Sequence, residues 1–427
     1  MSVAMLLAVS LLLLASYPTT TDAQCIQSPG ELGPLLDVLN ADIKYWRDKL
    51  GGQKLTHENL TLLIGRNDYR WNDNPWNGEA AGMVNSAYTA VLIYNNKWYF
   101  PFREWGYDAN CTRGDDWCSH RMTRTQEAFY RWTAAGARFP NSVFLLDLEN
   151  GGSCRVEAEC PAPVFSIFDV MKEPENFPNF EFRIQHGKGA IMVPDMTHSA
   201  TTKLVTRPWN EKARKAIFRG SLHCPIIFVN RVCPCSRVHF VDMVKKPKPE
   251  HGDAPQFVDA DGWDEHDAHA DDIRIPDWPQ EYSKYMFTLA LDGQSGNMKM
   301  EWLLHINSVI LKEHSPVVEF FERVIKPNEH YVPILLNNSY DALDLIKTMP
   351  ESDMQRIANN AQQFAQRYLC DDAKRFYFQR AIEEYNSLFA DMEGYITDVV
   401  LPLMSVKEHL GLGHHYQNLP KPDKFEP

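Results

Sequence analysis

Four places in this 427-residue chain carry side chains suited to chemistry. At Arg219-Gly220-Ser221, after the apolar run Ala216–Phe218, a turn would bring a backbone N–H, a hydroxyl and a guanidinium to one point. The planar guanidinium suits phosphate because it makes paired hydrogen bonds. At Asp292-Gly293-Gln294-Ser295-Gly296-Asn297 a glycine-containing loop ends an apolar stretch and opens a helix, with Lys299 in its first turn. Free N–H groups and the positive end of the helix dipole make such a loop a cradle for a diphosphate. Its spacing matches neither G-x-G-x-x-G nor a P-loop, so a nicotinamide cofactor or ATP is not indicated. Taken singly, the first place reads as a surface turn and the second as an ordinary strand–loop–helix corner.

The third place is the end of the apolar run Val143–Leu148, where Asp147 and Glu149 are placed to take a proton from a substrate hydroxyl, or simply to cap a strand. The fourth is the run of carboxylates and three histidines between His251 and Asp272. It has no zinc or EF-hand spacing, so it reads as a solvated loop and no metal site is expected. Cys224, Cys233 and Cys235 beside His223 suggest zinc or disulfide bonding, the latter favoured in an oxidising compartment.

The elements that must position these groups alternate between short apolar runs and amphipathic stretches. Leu35–Leu50 and Arg124–Ala135 read as helices, and Val143–Leu148, Ala190–Val193 and Ala216–Phe218 as buried strands. Then come a helix at Met300–Ile306, a strand at Ser308–Lys312, a helix at Val317–Ile325, a strand at His330–Leu336 and a helix at Tyr340–Thr348. Strand and helix in alternation imply a parallel α/β sheet with right-handed crossovers. Two long helices follow. Met354, Ile357, Ala358, Ala361, Phe364 and Ala365 recur every three or four residues behind Ser352, read as the N-cap. The second, near Lys374–Phe389, carries Tyr377, Ala381, Ile382, Tyr385 and Leu388 on one side. A stretch rich in Pro, Ser and Thr near residues 195–212 divides the chain into two α/β halves, and such sheets bind ligands at the carboxyl ends of their strands.

With 44% hydrophobic and 23% charged residues the chain is neither disordered nor fibrous. Its net charge of -13 leaves no polybasic surface, which argues against a nucleic-acid partner. Val3–Ala15 followed by the small and polar residues up to Ala23 reads as a cleavable secretory signal, shorter than the about 20 residues a spanning helix needs. With no later membrane span, the remainder is expected in the endoplasmic reticulum or Golgi lumen, or secreted. Sequons at Asn59, Asn110 and Asn337 agree with a glycoprotein. Cys111/Cys118 and Cys154/Cys160 are natural disulfide candidates, and an odd total of 9 cysteines leaves one over.

Several motifs recur in order between about residues 145 and 388: P-V-F-S at Pro163–Ser166, F-R-G-S at Phe218–Ser221, and K-Y-x-x-x-L-x-L-D-G at Lys284–Gly293. S-V-I-L-K at Ser308–Lys312, E-F-F-x-x-x-I-K-P-x-x-H-Y-V-P-I at Glu319–Ile334, and the helical I-A-x-x-A-Q-x-F-A and F-Q-R-A-I-x-E-Y complete the set. With these the chain resembles glycosyltransferase family 90, the group of lumenal protein O-glucosyltransferases and fungal capsule xylosyltransferases. The resemblance implies an α/β, GT-B-like fold of two Rossmann-like halves facing across a cleft, with no required metal and no tightly bound cofactor. It divides the chain into a signal (1–23), an acceptor half (24–205), a UDP-sugar half (206–390) and a tail (391–427).

It also implies an inverting transfer of a sugar, glucose or xylose, from a UDP-sugar to a hydroxyl of a protein or glycan in the secretory pathway. Arg219, Gly220 and Ser221 would lie beside the nucleotide, with Asp292, Gly293, Asn297 and Lys299 on the same side. Lys299 stands where the family usually has an Arg on the diphosphate, and Asn297 where it usually has Ser. The family's catalytic Asp aligns with Asn150, whose amide cannot accept a proton, so the base falls to Glu149 first and Asp147 second. Those departures define the alternative, a catalytically impaired member acting as a sugar- or protein-binding module.

Overall fold

The computed structural model describes residues 24–66, 88–99, 117–148, 160–171, 176–182, 189–196, 203–263, 277–402 and 404. The first sheet contains β1 (Tyr88–Tyr94), β2 (Lys97–Tyr99), β3 (Ser142–Asp147), β4 (Val164–Ser166) and β7 (Ala190–Met192), in the order β2-β1-β3-β4-β7. Asn95 and Asn96, at φ 51 and 61, make the tight turn that returns β1 antiparallel into β2. From β3 onward the pairing is parallel, and every residue of β3 is buried, as a strand covered on both faces requires.

The second sheet contains β8 (Ala213–Ser221), β10 (Val258–Trp263), β11 (Tyr285–Ala290), β12 (Val309–Glu313) and β14 (Val332–Ile334), in the order β10-β8-β11-β12-β14. All its pairings are parallel. The chain lays down β8, steps to one side for β10, then crosses to the other side for β11, β12 and β14. Strand order therefore reverses between β8 and β11. Alternate residues serve opposite cores: Ile217, Ala290 and Ile310 join the cluster that also fills the first sheet, whereas Phe218, Leu289 and Leu311 face Phe240, Leu343 and Ile357. The first of these two cores thus runs from the first sheet to one face of the second.

Two short ladders also link segments before residue 200 to later ones, since β5 (Asp169–Val170) pairs with β13 (Val317–Val318) and β6 (Phe180–Phe182) with β9 (Phe228–Asn230). The Val317–Ile325 helix expected from sequence is corrected accordingly. Its two valines are drawn into strand pairing with Asp169–Val170, and turns follow through Phe321 and Val324. The helix Glu351–Tyr368 buries all six apolar positions expected of it, but it starts behind Pro350, so Ser352 lies inside the first turn and is not the N-cap. Helix Asp371–Ser387 crosses back to the first sheet. There Phe378 sits 6.4 Å from Phe144 and 6.2 Å from Phe165 (ring centres), and the Tyr377 hydroxyl donates to the Met192 carbonyl at 3.1 Å.

Cys25 is bonded to Cys370 at the start of that helix, and Cys224 to Cys235, while Cys233 is a buried thiol that burial pushes up to about 12. The disulfide reading of the Cys224–Cys235 segment therefore holds. Cys160 is disulfide-bonded; Cys154 and the side chains of Cys111 and Cys118 lie outside the described residues, as do the signal segment, Asn110 and residues 264–272 of the His251–Asp272 run. The Val258–Trp263 part of that run, read as a solvated loop, is instead the strand β10, drawn into pairing with β8. Among the described residues no helix is long and apolar enough to cross a membrane, and no group of acidic, His or Cys side chains could hold a metal.

Candidate active site

The reversal of strand order between β8 and β11 leaves a gap between their divergent connections at the carboxyl edge, the usual binding place in open parallel sheets. Here the Arg219-Gly220-Ser221 segment and the 292–299 loop come together. Arg219-Gly220-Ser221 does not form the expected turn; it continues β8, its backbone paired with Asp261, Gly262 and Trp263 of β10. The Lys299 ammonium donates to the Arg219 carbonyl, and a Cβ on Gly220 would lie 3.8 Å from it. Lys299 is the N-cap residue of the short helix Met300–Leu304. Asn297 holds it there, its Oδ1 accepting from the Lys299 N–H at 3.0 Å, while the buried Asn297 Nδ2 has no partner among the described residues.

A residue that the motifs did not indicate completes the corner. Arg237, in the first turn of helix Ser236–Lys245, donates through Nη1 to the Ser221 carbonyl (2.9 Å) and hydroxyl (3.1 Å), and through Nη2 to the Leu291 carbonyl (3.0 Å). It thereby clamps the ends of β8 and β11. A Cβ on Gly293 would lie 2.9 Å from Arg237 Nη2, and one on Gly296 2.8 Å from Val317 Cγ1. Both positions need glycine because neighbouring groups already occupy the space a side chain would take.

Beneath the clamp, Glu313 at the end of β12 accepts from the Asp292 N–H (2.9 Å) and the Ser236 hydroxyl (2.5 Å). Burial, reinforced by Glu313, raises the Asp292 carboxyl well above its ordinary range, and burial likewise lifts Glu313 to about 6. Asp292 is buried, and its charge acts on the neighbouring Arg237. Burial, and then the neighbouring Arg237 charge, push the Lys299 ammonium down to about 7. Two cations thus share one corner, and an entering anion would relieve their repulsion.

The Arg219 side chain has partners of its own on the neighbouring strand. Its guanidinium is folded back onto Asp259 of β10, with Nη2 2.6 Å from the carboxylate and Nη1 2.9 Å from the main-chain carbonyl. Asp259 also accepts from the Tyr285 hydroxyl at 2.6 Å. Burial opposes ionisation there, but the Tyr285 and Arg219 hydrogen bonds outweigh it and hold the Asp259 carboxyl below its ordinary range. What Arg219 presents to the corner is its backbone, braced by Tyr282, whose hydroxyl accepts from the Arg219 N–H at 2.8 Å.

On the first sheet, Asp147 is fully buried at the end of β3, its backbone level with Tyr88 and Ser166. Glu149 and Asn150 lie outside the described residues. Leu148, one residue earlier, is tied to the 292–299 loop through Arg121, which donates to the Leu148 carbonyl and to the Met298 sulfur. The end of β3 and the corner at β8/β11 therefore share one arginine.

Over part of its length the chain is similar to known proteins. Over 107 residues the chain is 32% identical to protein O-glucosyltransferase 3 of Rattus norvegicus, covering 25% of this chain and 21% of that protein. Against protein O-glucosyltransferase 1 of Homo sapiens it is 24% identical over 208 residues, 46% of this chain and 48% of the relative. These matches span from about a fifth to about half of the relatives' lengths. The crystal structure of TarM aligns with 53% of this chain and 43% of its own at 13% identity and a TM-score of 0.27, a likeness too slight to build on. The sequence model of glycosyl transferase family 90 matches residues 152–393, which contain Arg219, Arg237, the 292–299 loop and every strand of the second sheet. That match takes in more than half of the chain, and the chain belongs to glycosyltransferase family 90.

Proposed function

We propose that this protein transfers a sugar from a UDP-sugar to a hydroxyl of a protein in the lumen of the secretory pathway, with inversion at the transferred carbon. The observation that carries the reading is the pairing of Lys299 and Arg237 at the point where strand order reverses in a parallel sheet. A diphosphate placed there meets two cations, the Ser221 hydroxyl and glycine-lined backbone, with no resident metal required. Family membership and relatives named protein O-glucosyltransferase favour glucose as the sugar and protein as the acceptor. The disulfides agree with an oxidising lumen.

In transfer the acceptor oxygen attacks the anomeric carbon as the bond to the diphosphate breaks, and the acceptor proton must leave at the same time. The transition state has oxocarbenium character, so a carboxylate base on the face opposite the leaving group is the chemical requirement. Glu149, directly after the strand end that Arg121 ties to the donor corner, is assigned that role. Lys299 and Arg237 would neutralise charge developing on the departing UDP.

The test is a donor screen. Purified full chain is mixed with UDP-glucose, UDP-xylose, UDP-galactose and UDP-N-acetylglucosamine, with UDP release and UDP-induced melting shifts as readouts. UDP should raise the melting temperature, UDP-glucose should turn over fastest, and Lys299→Met should abolish both effects. Binding without turnover of any donor would point instead to the impaired, sugar-binding member; no response to UDP at all would reject the site.

A further inference from the structure

Arg121 belongs to helix Trp117–Ala134 and is 3% exposed. Its two terminal nitrogens point to different halves of the protein, one to the Leu148 carbonyl and the other to the Met298 sulfur. Between them the guanidinium lies 5.9 Å from the centre of the Phe168 ring. Phe168 is itself in the 292–299 loop's packing, since a Cβ on Gly296 would lie 3.4 Å from its Cε1. Leu148 immediately precedes Glu149, and Met298 immediately precedes Lys299. A rigid planar group therefore sets the distance between the residue before the base and the residue before the diphosphate cation.

We infer that Arg121 is a positioning residue for the transfer reaction, holding the end of β3 at working distance from the donor loop; the inference rests on the function proposed above. Attack by a bound hydroxyl demands reacting atoms within roughly 3–3.5 Å of one another, and small displacements of the base cost rate steeply. Helix Trp117–Ala134 supplies a fixed origin for the guanidinium, as the Arg121 carbonyl accepts from the Thr125 hydroxyl at 2.9 Å one turn on. The role differs from substrate binding, because Arg121 donates to protein groups, the Leu148 carbonyl and the Met298 sulfur.

The experiment compares full-length wild type with Arg121→Met, Arg121→Lys and Met298→Leu. Calorimetry gives UDP affinity, and initial rates with UDP-glucose or the best donor of the screen give kcat and KM. Arg121→Met should lower kcat tenfold or more with the UDP Kd within twofold of wild type. Arg121→Lys, which keeps a donor for the Leu148 carbonyl, should recover part of that loss. Met298→Leu should lower kcat by a smaller factor, again at unchanged Kd, and it preserves the test if Arg121→Met does not fold. Unchanged kcat, loss of kcat and UDP affinity in parallel, or a lysine variant no better than the methionine one would overturn the inference. A wild-type chain that neither binds UDP nor turns over a donor would instead reject the proposed function, and this inference with it.

Discussion

The side-chain ammonium of Lys299 donates to the main-chain carbonyl of Arg219, 80 residues earlier in the chain. This contact fixes the first turn of helix Met300–Leu304 against the end of β8 and buries a lysine beside a second cation, Arg237. The ring centres of Trp278 and Tyr282 lie 5.7 and 5.8 Å from the ammonium, so aromatic faces offset part of the desolvation. The arrangement is electrostatically unfavourable by itself and becomes favourable around an anion.

A proton linkage follows from that environment. Burial and Arg237 hold Lys299 down to about 7, below the ordinary lysine value of 10.5, so the free protein loses this charge as pH rises through about 7. A diphosphate in the corner favours the ammonium and raises its affinity for the proton. UDP binding at pH 8 to 9 should therefore take up about one proton, seen as a buffer-dependent enthalpy in calorimetry, and affinity should weaken as pH climbs above 7. Lys299→Arg, which stays charged throughout and matches the residue usual in the family, should remove both effects. A wild-type UDP affinity that stays flat from pH 7 to 9 would show that Lys299 does not meet the anion.

How far the sequence reached is clearest residue by residue. The helix Glu351–Tyr368 was legible because its burial follows the three- and four-residue spacing of its own side chains. Strands β8, β12 and β14 of the second sheet were legible as short apolar runs, whereas β10 was not, because Val258–Trp263 lies in the carboxylate-rich run read as a solvated loop. The family motifs marked both segments that meet at the donor corner. Val317–Val318 was not, because its partner strand lies about 150 residues away and local pattern says nothing of that pairing. Arg237 and Arg121 were invisible for a related reason. Each is a single arginine on an ordinary helix, and only the fold brings it to the strand ends. Arg219 was read as a phosphate ligand because its type fits, but Asp259, on the neighbouring strand, competes for the same guanidinium.

The Cys25–Cys370 and Cys224–Cys235 disulfides should differ in what they contribute to stability. Cys25–Cys370 closes a loop of 345 residues and Cys224–Cys235 one of 11. On a chain-entropy estimate the first stabilises by about 6 kcal/mol and the second by about 3 kcal/mol. The long one also fastens the segment before helix Pro34–Leu50 to the start of helix Asp371–Ser387, which packs on the first sheet. Cys25→Ser with Cys370→Ser should therefore lower the denaturant midpoint clearly more than Cys224→Ser with Cys235→Ser. Equal losses would mean that the long connection does not restrict the unfolded chain more than the short one does.

Asp147 and Glu149 can be separated by what each substitution damages. Asp147 is fully buried within the sheet, its backbone level with Tyr88 on one side and Ser166 on the other. A carboxylate in that setting supports structure. Asp147→Asn should therefore lower the melting temperature while kcat, measured well below it, stays within a few-fold of wild type. Glu149→Gln should leave the melting temperature and UDP affinity nearly unchanged and reduce kcat about 10²–10⁴-fold, the usual loss on removing a general base. The loss should vanish at no pH, since the amide does not titrate. If Asp147→Asn is the variant that loses kcat with its fold intact, the base lies inside the strand end and the assignment of Glu149 is wrong.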